Sequence, residues 1–564
     1  MFDAQYFEDW VILLAEWATI PALAVAFAAV RWARRDHWVT APVRWLLANE
    51  RRPLVTVFLL ALVTGVVSSA IRPAWPFTHD EYSYLLAGDT FAHGRITNPP
   101  HPFWKHFETF HVLQQPSYQS KYPPAQGLVL ALGQVVFGHP IVGVWLSLAF
   151  ACVALYWCLR AWAARGWSLF GATLPCIRFG SGPLWDSDLW AYWAASYWGG
   201  AVAFLGACLA FGAMPRLLRK PGWKPSLLLG LGFGILAASR PFEGLLVALL
   251  ISAFLCVGFL RKTKPSHVLS AVAPGAFVVT LCLATLSYYN WRVTGSPFTT
   301  PYTVYLDMYD VVPLFTFQEL SPEPNYRHEI LRRFQLEFMV PTFRQQHGEP
   351  LMDIHSGRIL SGFFLGTPLA LVTFLGLYWR SRWLLLVMLT LGTAALSHAV
   401  TLPASGGLFR PHYFAPFAPA LLLLTIRGLR LLRTFRFGRH ALGTPITRAV
   451  VVSCVVVFVA AAALRLHHQW PAIGRWNRPE FIRRRFAERL PETGPKHLVF
   501  VRYGLQHNIH REWVYNPSEI DAAPIVWARE MAPADNRALR DYYRDRKAWV
   551  LEPDQRPPRL LPYE

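Results

Sequence analysis

Charge is what this chain has least of. Asp, Glu, Lys and Arg together make only 16% of its 564 residues, where soluble proteins carry about a quarter. So little charge excludes a disordered chain and argues against an ordinary cytosolic enzyme. Cysteine is equally sparse. The seven residues at 152, 158, 176, 208, 256, 282 and 454 all sit in apolar stretches, with no CxxC and no Cys/His zinc spacing. There they pack as small hydrophobes, which excludes a secreted disulfide scaffold and disulfides in exposed loops. Neither an internal repeat nor a low-complexity tract is visible, which removes collagen-like fibres. The opening segment, MFDAQYFEDW, is acidic and lacks the basic n-region of a cleavable signal peptide, so the first apolar stretch is expected to persist in the mature protein.

What is present is apolar. The chain is 54% hydrophobic and 15% aromatic, with a mean hydropathy of +0.27. Its 54 basic against 34 acidic residues give a net charge of +20, which invites a nucleic-acid reading. The distribution of the charge decides otherwise. Stretches of the length a bilayer demands, ~20 mostly apolar residues, occur at 10–30, 53–72, 141–160, 166–185, 189–214, 226–239, 244–260, 266–288, 359–378, 383–402, 413–428 and 448–465. Of these, 166–185 is weakened by Arg178, Pro175 and glycines, and 226–239 is short, so the expectation is about twelve spans. If the N-terminus lies outside, every inside loop is basic, from Arg31, Arg34, Arg35, Arg44, Arg51 and Arg52 in the first to Arg427, Arg430, Arg433, Arg436, Arg439 and Arg448 in the last. That alternation follows the positive-inside rule and accounts for much of the +20, so no nucleic-acid partner is expected.

The remaining segments fall outside. The expected organisation is a membrane domain over 1–465, with a first outer loop at 73–140, and a small soluble extracytoplasmic domain over 466–564. Near the end of the first loop, PPAQGLVLALGQVVFG is apolar but too short to span, and reads as a juxtamembrane or re-entrant helix. In the tail, HLVFVRYG and KAWVLEP read as strands and 532–546 as a helix, so the tail is expected to be α/β.

Acids beside a membrane are costly unless solvated or used. Asp80 and Glu81, in His79-Asp80-Glu81 just after the second span, can supply a general base or simply cap a helix. Asp186 and Asp188, in LWDSDLW, form a second acidic outer turn that can bind an acceptor, share a divalent cation with Asp80, or cap the next span. Arg240 and Glu243, in SRPFEG, can bind a lipid phosphate through the guanidinium or close a turn as an ion pair. Arg292, in YNWRVTGSPFTTPY (289–302) with its aromatic cluster, and Arg410 with His412, in LFRPHY, stand at further outer ends. Together with Arg178 these arginines run against the positive-inside trend, as an outer anionic ligand would require. His93, His101, His106 and His111 match no helical i, i+4 pair with a third ligand nearby, so packing or surface roles are expected for them.

The stretch THDEYSYLLAGDTFAHGRITNPP, with YQSKYPPAQG further on, resembles the first outer loop of the GT-C glycosyltransferase superfamily. The likeness is greatest to the family of protein O-mannosyltransferases and aminoarabinose lipid A transferases. Asp80 and Glu81 match that family's acidic pair. Lys121 with Pro123 and Pro124 matches its Lys-Pro-Pro element, with Tyr122 inserted. The resemblance implies an all-α polytopic GT-C membrane protein with a small C-terminal α/β domain. It also implies a multi-pass inner-membrane enzyme, its site extracytoplasmic, that moves a sugar from a polyprenyl phosphate to a glycan, lipid or protein acceptor with inversion. Asp80 would be the base and Glu81 its orienting neighbour, with Lys121 meeting the leaving phosphate. No cofactor is required by this reading, although a divalent cation is compatible with it. The rival is a transporter or flippase of an anionic lipid-linked substrate, which calls for ionisable residues at mid-membrane and related halves. A non-catalytic assembly protein is a third reading.

Overall fold

The computed structural model describes residues 18–29, 36–71, 75–76, 78–178, 193–262, 265–348, 366–401, 411–473, 482–490, 494 and 496–563. They divide into two compact units, one of 1–74, 144–284 and 350–470, the other of 75–143, 285–349 and 471–564.

The first unit is helical. Across the described residues of the whole chain, six helices are long and apolar enough to cross a membrane: Arg51–Ala70, Pro140–Leu159, Gly200–Arg219, Pro241–Leu260, Ala271–Thr294 and Arg382–Val400. Ala18–Ala29, Pro124–Phe137, Trp223–Ser239, Pro368–Tyr378 and Gly443–Val457 are shorter apolar helices. Of the 166–185 stretch, the described residues form the helix Arg165–Arg178, with Pro175 inside it. Along Arg51–Ala70, Val55, Leu59, Val63 and Val66 recur at helical spacing and are all exposed. An exposed aliphatic stripe of this kind needs an apolar surrounding, so the protein is membrane-embedded. The opposite face contributes Val57 and Ala61 to a core shared with Leu148, Leu155, Phe204 and Phe211. Small residues let the backbones approach. A Cβ on Gly206 would lie 2.9 Å from the Gly232 carbonyl oxygen, and one on Gly232 would lie 2.6 Å from that of Gly206, the close packing that stands in for a hydrophobic driving force inside lipid.

The second unit is mixed. PPAQGLVLALGQVVFG becomes the 14-residue helix Pro124–Phe137, about 21 Å long and short of the ~30 Å hydrocarbon layer. Strands β1 (Val112–Leu113) and β2 (Gln119–Ser120) pair antiparallel. In the tail β3 (His497–Val501), β4 (Ile525–Arg529), β5 (Lys547–Glu552) and β6 (Arg559–Pro562) form a sheet of order β4-β3-β5-β6. The β3 pairings are parallel and β5–β6 is antiparallel. The helix Pro533–Tyr542 lies between β4 and β5 in sequence, as a crossover between parallel strands requires. Strands β3 and β4 are buried throughout, which explains their continuous apolar runs. Leu498, Phe500 and Val526 of this sheet share one core with Leu86, Phe107 and Val112 of the first loop.

Candidate active site

The second unit gathers the chemistry around the helix His79–Ala92. Asp80 and Glu81 occupy its first turn, where the helix dipole favours carboxylates. Glu81 is buried and accepts the Thr78 backbone N–H at 3.2 Å, half of a capping box. Asp80 is half-buried. The Tyr122 hydroxyl donates to its Oδ1, and Oδ2 bonds nothing among the described residues.

The same helix sets the position of Lys121. Ser83 and Tyr84 stand three and four residues on from Asp80, on the same face. The Ser83 hydroxyl donates to the His111 carbonyl at 2.6 Å and pairs with the Ser120 hydroxyl at 2.7 Å. Tyr84 stacks on Tyr122, centroids 4.5 Å apart. Residues 111 and 121 flank the β1–β2 hairpin and are joined by the Lys121 N–H, which donates to the His111 carbonyl at 3.1 Å. His111 holds φ at +61°, alone among the described non-glycine residues in being left-handed. Such a conformation costs on the order of 1 kcal/mol and persists only where its surroundings impose it. Here the Tyr305 hydroxyl accepts the His111 N–H at 2.9 Å.

Lys121 is buried, 4% exposed. Its Nζ lies 4.2, 4.9 and 5.6 Å from the ring centroids of Tyr305, Tyr302 and Tyr122. Among the described residues it makes no hydrogen bond and no ion pair. Burial pulls its pKa down, while the charges of Asp310 and Asp80 act the other way. Asp310 follows the helix Pro301–Tyr309, and the Gln335 amide donates to its Oδ1 at 2.6 Å. Burial pushes Asp310 up to about 6, against the opposing pull of Lys121 and the Gln335 hydrogen bond. Burial, then the Lys121 charge and the competing titration of His79, hold the His111 imidazole well below its ordinary value, so it is neutral at pH 7.

Among the described residues the group is therefore one accepting carboxylate with a free oxygen, one desolvated ammonium without a hydrogen-bond or ion-pair partner, and a tyrosine wall. Such a group can take a proton and attract an anion.

The fold has solved counterparts. ArnT from Cupriavidus metallidurans in the apo state is 12% identical, with a TM-score of 0.51 over 88% of this chain and 92% of that one. The same protein bound to undecaprenyl phosphate is 13% identical, with a TM-score of 0.52 over the same shares. The chain has the GT-C fold. A looser likeness, to the Archaeoglobus fulgidus oligosaccharyltransferase complex with Zn and sulfate, has a TM-score of 0.41 at 11% identity over 87% of this chain and 67% of that one. No family model matches the chain. No curated protein matches it either.

Within this fold the other sequence-derived candidates are distributed unevenly. Arg292 is exposed near the end of the helix Pro265–Thr294. Its Nη1 donates to the Tyr288 hydroxyl at 3.1 Å, and Trp291 and Phe298 are exposed close by in sequence. That is the composition of a membrane–water boundary, and no contact joins it to Asp80 or Lys121. In the first unit, Arg240 lies 4.6 Å over the Tyr413 ring. His412 packs against Tyr413 and Trp198, centroids 4.3 and 4.8 Å away. Glu243 is buried in the first turn of Pro241–Lys262. Asp186, Asp188 and Arg410 lie outside the described residues. Among the described residues no three His, Cys, Asp or Glu side chains converge as metal ligands.

Sequence reasoning missed Asp310, Tyr305 and the place of His111, while Tyr302 closes the aromatic segment noted beside Arg292. His111 was readable only as one of four loop histidines, and Asp310 follows Tyr309 in an unremarked stretch between spans. Its nearness to Lys121 comes from folding alone.

Proposed function

We propose that the chain is a multi-pass membrane glycosyltransferase that moves a sugar from a polyprenyl phosphate to an acceptor hydroxyl, with inversion, at the outer face of an inner membrane. The observation that carries this reading is the pairing, on adjoining elements, of Asp80, a carboxylate that bonds through one oxygen, with Lys121, a buried ammonium that has no hydrogen-bond or ion-pair partner among the described residues. The GT-C fold, which includes an ArnT solved with undecaprenyl phosphate, supports the donor class.

In the proposed reaction the acceptor oxygen attacks the anomeric carbon from the side opposite the phosphate. Asp80 takes the hydroxyl proton on Oδ2 while Tyr122 holds Oδ1 in place. The bond from the anomeric carbon to the phosphate oxygen breaks, and its electron pair leaves with the phosphate. Lys121 neutralises the charge that grows there, in a site where desolvation strengthens the attraction. Glu81 keeps the helix end formed and so fixes the base. The prenyl chain stays among the apolar helices, so partitioning into lipid contributes to donor binding.

The test is Asp80→Asn, expressed at the wild-type level and assayed in isolated membranes for sugar transfer from a prenyl-phosphate donor. A fall of at least about a hundredfold is expected for loss of a general base. Full activity in the variant sinks the assignment of Asp80. Movement of the lipid-linked substrate without transfer favours the transporter instead.

A further inference from the structure

The phosphate-binding lysine proposed above has a problem of its own: an ammonium this deeply buried needs a negative neighbour to stay charged before any ligand arrives. The structure offers two. Asp80 is engaged by Tyr122 and, on the proposed reading, must remain available as a base. Asp310 is fixed by Gln335, whose amide donates to the carboxylate at 2.6 Å while its carbonyl accepts the Val311 N–H at 3.3 Å. Neither acid comes within ion-pair distance of Lys121, so the ammonium is balanced through space rather than tied down. Asp310 Oδ2 bonds nothing among the described residues.

Resting on that functional reading, we infer that Asp310 is a positioning residue for donor binding: it is the counter-ion of Lys121 in the ligand-free site, and a phosphate that binds Lys121 takes over that role. The ligand chemistry is an anionic phosphate group. Once the phosphate sits on the ammonium, an ionised Asp310 becomes a like-charged neighbour, and binding is relieved when Asp310 accepts a proton. The groups that bear on this exchange come from several elements. Facing Lys121 are Asp80, the neutral His111 and the Tyr122, Tyr302 and Tyr305 rings. Facing Asp310 are Lys121, Gln335, Tyr305 and Tyr326. Burial holds Tyr122, Tyr305 and Tyr326 above their ordinary values and His111 below its own, so Asp310, near 6, is the group among these that titrates just below neutrality.

The sign follows. In the wild type, affinity for phosphate weakens as pH rises through about 6, because Asp310 ionises. Asp310→Asn keeps the Gln335 hydrogen bond and removes the charge. The two proteins then bind alike at pH 5, and the variant binds roughly tenfold more tightly at pH 7, the scale of one like-charge contact in a half-buried setting. The ratio of the two dissociation constants cancels the ligand's own ionisation. At higher pH the variant loses affinity sooner, since Lys121 has lost a charge that kept it protonated. Lys121→Arg removes that last effect, because a guanidinium stays charged.

The experiment titrates full-length wild type, Asp310→Asn, Lys121→Arg, the double variant and Lys121→Met with undecaprenyl phosphate in detergent between pH 5 and 9. Inorganic phosphate is run as a second arm. The pH-dependent ratio with undecaprenyl phosphate alone supports the inference for a lipid phosphate; the same ratio with inorganic phosphate supports it for phosphate in general. A ratio of one at every pH, or a uniform loss at every pH as a structural role would give, overturns it. If wild type and Lys121→Met bind undecaprenyl phosphate equally, the functional reading itself fails, which is a different result.

Discussion

The buried pair Arg529–Glu512 ties the tail to the candidate site, and cutting it makes a quantitative test. Arg529, last residue of β4, donates from Nη2 to Glu512 Oε2 at 2.5 Å and from Nε to the Glu108 carbonyl at 2.6 Å. The two side chains are 3% and 0% exposed. Glu108 in turn accepts the Tyr309 hydroxyl at 2.8 Å, one residue before Asp310. Burial works to raise the Glu512 pKa, but Arg529, the Tyr503 hydroxyl and the Val514 N–H prevail and hold it below the usual carboxylate range. Arg529→Met removes the largest of those supports and leaves a carboxylate with donors from Tyr503, Trp513 and Val514 alone. Stranding one member of a buried pair costs about 3–5 kcal/mol, or about a thousandfold in the opening equilibrium at 4 kcal/mol. Amide exchange of β4, followed by mass spectrometry on the full-length protein, should accelerate by that factor at pH 7. With Arg529 gone, burial decides the Glu512 pKa, which moves above its unfolded value. The penalty is therefore full at pH 7 and shrinks as pH falls and the carboxyl takes up a proton. Adding Glu512→Gln should recover at least about 2 kcal/mol. A single-variant cost below about 1 kcal/mol, or no recovery in the double variant, refutes the reasoning.

Two further predictions concern His79 and a pair of glycines. His79 is held at about 4 by burial, opposed by the Glu512 and Asp80 charges, and stacks on Phe110 with centroids 4.1 Å apart. Its folded pKa lies below the unfolded value of about 6.5, so the unfolded chain binds the proton first. Stability should fall by up to about 3 kcal/mol between pH 6.5 and 4; denaturant titrations in which His79→Gln leaves that slope unchanged would contradict this. A Cβ on Gly143 would lie 1.9 Å from the Val129 carbonyl oxygen, whereas one on Gly392 meets nothing within 4 Å. Gly143→Ala should therefore lower the thermal midpoint by several degrees or abolish folded protein, while Gly392→Ala leaves it unchanged or raised. Equal midpoints would show that the two helices separate freely there.

Much of this architecture follows from local sequence alone. A span must supply all its backbone hydrogen bonds within itself, so apolar length and basic loops mark the helices before any fold is known. The short apolar run at Pro124–Phe137, the strands HLVFV and KAWVLE and the helix 533–542 are legible for the same reason, since period and run length belong to the segment itself. Asp80 and Lys121 were likewise visible, as an acid and a cation beside spans in a familiar order. What sequence did not contain is who stands next to whom. Tyr122 reaches back 42 residues to Asp80. Asp310 joins Lys121 across nearly two hundred positions, and Arg529 braces Glu108 across more than four hundred. Those neighbours are set by the burial of the β1–β2 hairpin, the 301–310 segment and the C-terminal sheet in one unit, a collective outcome of packing. Charge balance depends on distance in space, and only the tertiary structure decides that distance.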